Sequence, residues 1–412
     1  MQKLARCAAL SFLMITGGMV NAFAQAEGVL ERPRPEYDPK GLPLGGFRLF
    51  PTASISVGVD DNVLRQPVAT TRSMVVQEKG SFLLRSEWSR HALGLFGDVT
   101  ARQYADLPAE DTVDWTIGGN GRVDIQRGSD IAGSGFYSKL HEPRNSPELP
   151  GFAAEPTAYQ MTGGQVSLSY NPYKFGFKVG ANINRYTYDP TLVIAPGAPI
   201  SNADRDRQEY DLYARANYEF SPGYAIFVQG NYIAQEFDLA LDRNGVNRTT
   251  DGYRGNIGAS LQISRLLRGE AYIGYLKQDY KGALTDISGL NFGGSLDWYA
   301  DEALTVHLRA SRLLSATTLF GASANDSKTF AVSADYELLR NVLILPSYSY
   351  TNSTFTGLGR DDDLHALDLG IRYLLTETLS ADFNYSYETR RSTSPTGSYD
   401  DNILRVGLNL RL

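Results

Sequence analysis

The stretch "RVGLNLRL", residues 405–412, alternates polar and apolar side chains up to the last residue of the chain. Successive residues of a β-strand point to opposite sides, so this alternation predicts a strand with two unlike faces. One face is apolar and consists of Leu404, Val406, Leu408, Leu410 and Leu412. The other face carries Arg405, Gly407, Asn409 and Arg411.

The same alternation recurs from Phe47 to the C-terminus, for example in 304–311, 365–374 and 379–388. We count about eighteen such segments, each of roughly 10 to 15 residues. The predicted strands are 47–59, 73–87, 91–104, 112–125, 130–142, 157–170, 174–187, 206–220, 223–236, 250–264, 268–280, 288–299, 303–313, 326–337, 341–353, 363–374, 377–389 and 401–412.

The connections between these segments alternate in length. Those after even-numbered segments are short, such as "EWSR" at 87–90, and most of those after odd-numbered segments are longer. Bacterial outer-membrane barrels show this asymmetry, with short periplasmic turns and longer extracellular loops. An even strand count also places both ends of the barrel on the periplasmic side.

A soluble β-sandwich would show the same alternation, but sheets of about eighteen strands split into packed layers or domains, and no linker interrupts 47–412. No segment after the N-terminal region approaches the roughly 18 apolar residues of a membrane helix. The 25 Tyr and 18 Phe against 5 Met favour strands. We therefore predict an all-β transmembrane, antiparallel up-and-down barrel in the outer membrane of a Gram-negative bacterium.

Many tyrosines lie near strand ends, where aromatic girdles meet the membrane surface. We expect girdle positions for Tyr104, Tyr137, Tyr170, Tyr173, Tyr186, Tyr188, Tyr218, Tyr280 and Tyr299.

The N-terminal region has two parts. Residues 1–24 read as a signal peptide, with Lys3 and Arg6, an apolar run and a small-residue cleavage site at 22–24. Residues 25–46 contain four prolines and are predicted to form an extended periplasmic linker, too short for a plug domain. The predicted mature chain lacks cysteine, and its formal net charge falls from −7 to about −9, which disfavours nucleic acid as a partner.

The last strand of a closed barrel pairs with the first, so we expect the C-terminal strand to leave no free edge. Arg405, Gly407, Leu410 and Leu412 also resemble the C-terminal signal that the barrel assembly machinery reads. Leu412 departs from that signal, in which an aromatic residue is commoner.

From Phe47 the chain reads "FRLFPTASISVGVDDNVLRQP", an alternating strand that ends in an Asp-Asp-Asn corner. This resembles the opening of the putative β-barrel porin 2 family, and "RQYADLPAEDTVDWTIGGNGRVDI" at 102–125 resembles its second hairpin. The resemblance implies an eighteen-stranded outer-membrane pore. It also implies association with exopolysaccharide or capsule export.

The charged face should line a water-filled lumen, narrowed at most by an inward loop, for which 143–156 and 188–205 are the best candidates. These charges could guide a hydrated solute, or they could simply be paired, solvated residues of a polar wall. The lumen-facing candidates are Arg48, Asp211, Arg215, Glu219, His307, Arg309, Asp368, Arg372, Asp382, Arg405 and Arg411.

Acidic residues mark the predicted extracellular rim. Barrel closure would make Asp60-Asp61 and Asp400-Asp401 neighbours, with Asp361-Asp362-Asp363 nearby. These oxygens are a weak candidate site for calcium, which could also bridge lipopolysaccharide phosphates. Asp and Asn are equally ordinary turn formers, and the sequence predicts no other cofactor or metal.

Catalysis is not predicted. The four histidines are His91, His141, His307 and His365. Only Asp362, Asp363 and His365 could form an acid–base group, and a solvated rim explains them better than catalysis does.

Three functions remain open at this level, and the first is the one that we favour here, with the other two as alternatives. The first is passive conduction of a hydrophilic solute, with a secreted polysaccharide as the cargo and periplasmic export components as partners. The second is a general or nutrient-uptake porin, and the third is a structural or adhesive surface barrel. In each case outer-membrane lipid, lipopolysaccharide and the barrel assembly machinery are the expected partners.

Overall fold

The computed structural model describes residues 28–194, 198–263 and 266–412. Across these residues the regular secondary structure is β-strand, apart from two short 3₁₀ turns at Pro108–Glu110 and Ala203–Arg205. Within these residues the structure has no α-helix that is long and apolar enough to cross a membrane. The predicted signal peptide, residues 1–24, lies outside the described residues.

Eighteen long antiparallel strands form one closed sheet in the part of the chain that the structure describes. A further short strand, β1, pairs with the beginning of β2. The strands are β1 Leu42–Leu44, β2 Phe47–Asp60, β3 Ser73–Ser86, β4 Ala92–Tyr104, β5 Thr112–Gln126, β6 Ser129–His141, β7 Ala158–Tyr170, β8 Phe175–Tyr188, β9 Arg207–Ser221, β10 Tyr224–Phe237, β11 Thr250–Ile263, β12 Leu267–Tyr280, β13 Ile287–Tyr299, β14 Leu304–Ala316, β15 Ala324–Leu339, β16 Val342–Phe355, β17 Arg360–Leu374, β18 Leu379–Ser392 and β19 Tyr399–Arg411.

The barrel closes where β19 pairs with β2, from Ile403 opposite Asp60 to Arg411 opposite Thr52. This pairing is confirmed as the sequence predicted it. It matters physically because hydrocarbon offers no partner to a free N–H or C=O group, and a closed sheet leaves no edge within the membrane. The predicted strand boundaries agree with the observed ones to within three residues.

The apolar face of the sheet points outward and the polar face points inward, which is the reverse of the arrangement in a soluble protein. On β19 the side chains of Leu404, Val406, Leu408 and Leu410 stay 46–58% exposed, and β8 shows the same pattern. Such a continuous apolar outer surface would be costly in water, so its solvent is the lipid bilayer. The polar faces of the same strands point into the barrel.

The expected tyrosine girdle is only partly correct. Tyr137, Tyr170 and Tyr218 share the outer face with exposed apolar residues, as expected. The register turns a second group into the lumen, consisting of Tyr104, Tyr186, Tyr188, Tyr280 and Tyr299. The prediction used distance from a strand end, which does not decide the face that a side chain occupies.

The predicted extended linker is also wrong for the residues that the structure describes. Residues 28–41 turn back on themselves and pack into the periplasmic mouth, where Val29 is fully buried against Leu343 and Leu374. Those two leucines lie on the inner faces of β16 and β17. The inner wall therefore offers apolar contacts at this end, and the linker occupies them.

Glycines allow inner-wall aromatic rings to lie flat against the sheet. Gly258 on β11 lies under the ring of Phe227, and an added Cβ there would come within 2.4 Å of that ring and 2.5 Å of the Ala271 carbonyl oxygen. Gly255, three residues away on the outer face, has no atom within 4 Å of the same position. Gly258 and Gly255, which lie on the same strand, thus differ sharply in the free space around a side chain at their positions.

We predict that Gly258→Ala destabilises the folded barrel by about 1–3 kcal/mol, because the methyl group overlaps backbone and ring. Gly255→Ala, the matched control, should fold like the unaltered chain. The measurement is the temperature at which the barrel loses its compact electrophoretic mobility. Equal temperatures for the two variants would contradict this account.

Candidate functional site

The structure places all eleven lumen-facing candidates on the strand face opposite the exposed apolar residues. Many of them are paired. Arg372 donates two hydrogen bonds of 2.9 Å to Asp382, and Arg215 lies 3.1 Å from Glu270. Asp211 likewise accepts a 2.7 Å bond from Arg254.

A second group of paired charges lies near the periplasmic end of β13–β15. His307 contacts Asp297 at 2.6 Å and Asp335 at 3.1 Å, and Arg309 shares Asp297 with it. Such short contacts between opposite charges make a wall that is polar and yet nearly neutral from point to point. Whether this wall selects among solutes stays a prediction.

One loop crosses the extracellular mouth. We call residues 142–157, between β6 and β7, the strap. Its Glu148 accepts hydrogen bonds from the hydroxyls of Thr317 and Thr318, the latter at 2.7 Å. Those threonines follow β14, eight strands around the ring from β6, so the strap reaches the opposite side of an eighteen-stranded barrel.

The strap is also bonded to strands beside the closure seam, which is the pairing of β19 with β2. Asn145 donates a 3.0 Å bond to Glu388 of β18 and a 3.2 Å bond to the Tyr399 hydroxyl of β19. Arg390 of β18 donates a 2.6 Å bond to the Asn145 carbonyl oxygen. The strap is therefore held at two places far from its own strands, and it divides the mouth.

Buried ion pairs anchor the base of the strap. Glu142 and Arg205 are 6% and 5% exposed, and Arg205 donates a 2.9 Å bond to the carboxylate. Arg144 donates a 2.7 Å bond to Glu110, which is 5% exposed. Removing one partner of such a pair leaves a buried charge uncompensated, which typically costs about 3–5 kcal/mol.

The neighbouring loops continue this network. Arg248 bonds Asp242 at 2.6 Å and the Ala322 carbonyl oxygen at 2.9 Å, and Arg243 bonds Asp204 at 2.7 Å. Burial alone would raise the pKa of Asp204 and of Asp242. The hydrogen bonds from Arg243 and from Val246 and Arg248 outweigh burial, so both pKa values lie below the usual 3.8.

The rim carboxylates are bonded to protein groups. Arg65 lies 3.4 Å from Asp60 and 2.9 Å from Asp401, and Asp61 accepts two bonds from Asn402. Asp400 lies on the outer face and pairs with Arg391. Asp60 and Asp401 thus meet around Arg65 where β19 pairs with β2, as the predicted closure implied. No group of three metal-binding side chains occurs among the described residues.

The acid–base grouping considered from the sequence does not assemble. Asp362 points inward, where Arg360 and Ser392 bind it, whereas Asp363 and His365 point outward. His365 contacts the Tyr348 hydroxyl at 2.8 Å and the Tyr350 ring. A strand puts neighbouring residues on opposite faces, so this arrangement follows from the fold.

From the sequence, 143–156 and 188–205 are the best candidates for an inward loop, but the sequence does not indicate the residues that hold the strap, Glu142, Glu148 and Arg205. No local pattern marks them, because each is bonded to a residue more than sixty positions away.

The family model of putative beta-barrel porin 2 matches residues 34–412. The chain belongs to this family. It is therefore a porin-like barrel of the Gram-negative outer membrane, as the sequence resemblance predicted.

Several solved structures match most of this chain at low sequence identity. OccK2 (OpdF) of Pseudomonas aeruginosa is 13% identical, with a TM-score of 0.47, 90% of this chain and 100% of that chain covered. A BenF-like porin from Pseudomonas fluorescens Pf-5 is 11% identical with the same TM-score and coverage. OccAB4 of Acinetobacter baumannii is 10% identical, with a TM-score of 0.44 and coverage of 88% and 98%. The sequence has no match among curated proteins.

We predict that Arg205→Ala loosens the strap, because it leaves Glu142 buried without its cation. The barrel should lose thermal stability, and trypsin should cleave the strap after Arg144. Arg185→Ala is the matched control, because its pair with Asp238 is 38% and 36% exposed and should contribute under about 1 kcal/mol. Equal trypsin resistance in the two variants would rule out this role for Arg205.

The loop network should also be stable to mild acid. A carboxylate whose folded pKa lies below 3.8 stabilises the fold above that value, and this stabilisation is lost as the pH falls through the folded pKa. We therefore expect constant channel conductance from neutral pH to about pH 5 and a rise only below pH 3.8.

The double variant Asp204→Asn, Asp242→Asn should show the raised conductance already at neutral pH. Planar-bilayer recording measures the conductance of both proteins. A transition between about pH 5 and 7 in the unaltered protein would point to other titratable groups and would contradict the prediction.

Proposed function

We propose that this barrel is a passive channel through which small hydrophilic solutes enter the cell. The observation that carries the proposal is the strap, which spans the extracellular mouth and is bonded to the opposite side of the barrel through Glu148. A strap held in this way narrows the pore without sealing it. Nutrient-sized solutes are the cargo that fits such an entrance.

The inner wall supports the same proposal. Conduction needs contacts that are favourable but weak and repeated, so that a solute can both enter and leave. The lumen offers paired charges such as Arg372 with Asp382 and hydroxyl pairs such as Thr329 with Thr351. These groups already satisfy one another, so a passing solute exchanges hydrogen bonds with them without being trapped.

Polysaccharide export, which the family resemblance implied, is less well supported. A polymer chain would have to displace the strap from Thr317 and Thr318 and from Asn145's partners on β18 and β19. It would also meet the folded N-terminal residues in the periplasmic mouth. A small solute needs neither displacement.

The test is liposome swelling with sugars and amino acids of increasing size. The unaltered protein should admit small solutes and exclude larger ones. Glu148→Ala removes the strap's far anchor and should admit the larger solutes roughly twofold faster. Glu155→Ala is the matched control, because this exposed carboxylate lies in the same strap and no hydrogen bond to the opposite wall holds it.

Two outcomes would count against the proposal. Liposomes that do not swell with any solute would favour a structural or adhesive surface role. Equal solute limits for Glu148→Ala and the unaltered barrel would show that the strap does not set the size of the entrance.

A further inference from the structure

The closure seam is incomplete at its periplasmic end. β19 pairs with β2 only from Thr52 to Asp60, and the last bond of the seam runs from the Leu412 N–H to the Pro51 carbonyl oxygen at 3.1 Å. Residues 47–49 of β2 extend below this point with an edge that β19 cannot reach. An unpaired edge of this kind invites pairing with another strand.

The chain's own N-terminal region covers that edge. β1 pairs with β2 through Leu42 opposite Leu49 and Leu44 opposite Phe47. Because β3 occupies the other side of β2, β1 lies on the side of β19 and continues the sheet where β19 ends. We call residues 28–44 the N-terminal arc.

Beyond β1 the arc crosses the end of β19 and follows the inner wall. Arg411 of β19 donates a 3.4 Å bond to the Tyr37 carbonyl oxygen, and the Tyr37 side chain packs against the cluster that contains Val29. The arc thus joins β2 to strands on the far side of the seam. Strands that follow one another in the chain are joined by a turn, whereas β19 and β2 are not. The arc therefore bridges the junction of the barrel that no turn connects.

The far end of the arc is the most deeply anchored part. The Val29 N–H donates a 3.0 Å bond to the Thr305 hydroxyl of β14. Arg34, 3% exposed, donates 2.7 Å and 2.6 Å bonds to the Val29 carbonyl oxygen and to Glu337 of β15. One buried guanidinium therefore binds the arc to itself and to the wall.

We infer that the N-terminal arc is a latch that clamps the closure seam and holds the periplasmic mouth in a narrowed state. Its docking surface is built from β14 to β17, from β19 and from the edge of β2 that β19 leaves unpaired, so it exists only in the closed barrel. The arc occupies inner-wall surface that would otherwise face water. Releasing it should widen the mouth and weaken the seam.

The test compares Val29→Asp combined with Glu337→Ala against the unaltered chain. The double variant places a charge in the apolar contact and removes the partner of Arg34, so the arc should leave the wall. Chymotrypsin should then cleave after Tyr37, single-channel conductance should rise roughly 1.5-fold or more, and the barrel should unfold at lower temperature. Glu337→Gln alone is the milder variant if the double variant does not fold.

Glu377→Ala is the matched control. Its carboxylate pairs with Lys40 of the same arc, but the two side chains are 41% and 74% exposed, so its loss should change neither cleavage nor conductance. Cleavage after Tyr37 at unchanged conductance would overturn the inference, and so would a double variant that stays protected. A silent unaltered barrel with a conducting double variant would support the latch while contradicting the proposed open channel.

Discussion

The constraint on which the rest of this structure depends is the satisfaction of backbone hydrogen bonds in hydrocarbon. Within the bilayer an unpaired N–H or C=O group has no water to bind, so a sheet must close on itself. Here closure rests on the pairing of β19 with β2, residues 403–411 with residues 52–60. The inverted faces of the sheet follow from the same constraint, because a closed barrel in lipid presents its apolar residues outward and its charges to the water inside. Even the N-terminal arc serves it, because β1 covers the part of β2 that β19 leaves unpaired.

One segment narrows each mouth of the barrel, and different kinds of interaction hold the two segments in place. The strap is held by buried ion pairs and charge-assisted hydrogen bonds, among them Glu142 with Arg205 and Glu148 with two threonines. The arc combines one such group, Arg34, with apolar contacts of Val29 inside the lumen. Buried charges are costly to separate, so each device holds one position strongly and fails sharply when a partner is removed.

The fold was largely predictable because a strand's alternation is local: the side-chain period of two can be read from any ten residues. Strand ends and the pairing of the last strand with the first followed from it. The expected girdle failed at Tyr186 and Tyr188 because closeness to a strand end says nothing about the face. The expected linker failed at Val29 because prolines indicate extended backbone but not the wall that receives it. The strap's crossing rests on Glu148 and Thr318, which no spacing rule connects.

The sequence by itself determined the barrel, its eighteen strands, its inner and outer faces and its membrane, because each depends on a repeated pattern of neighbouring residues. Only the tertiary structure decided which loop crosses the mouth, which charges are paired, and where residues 28–44 dock. Those contacts join residues tens to hundreds of positions apart, and they exist only after closure brings distant strands around a common lumen. Local periodicity carries no information about such contacts. The barrel could therefore be predicted from the sequence, but the positions of the strap and the N-terminal arc could not.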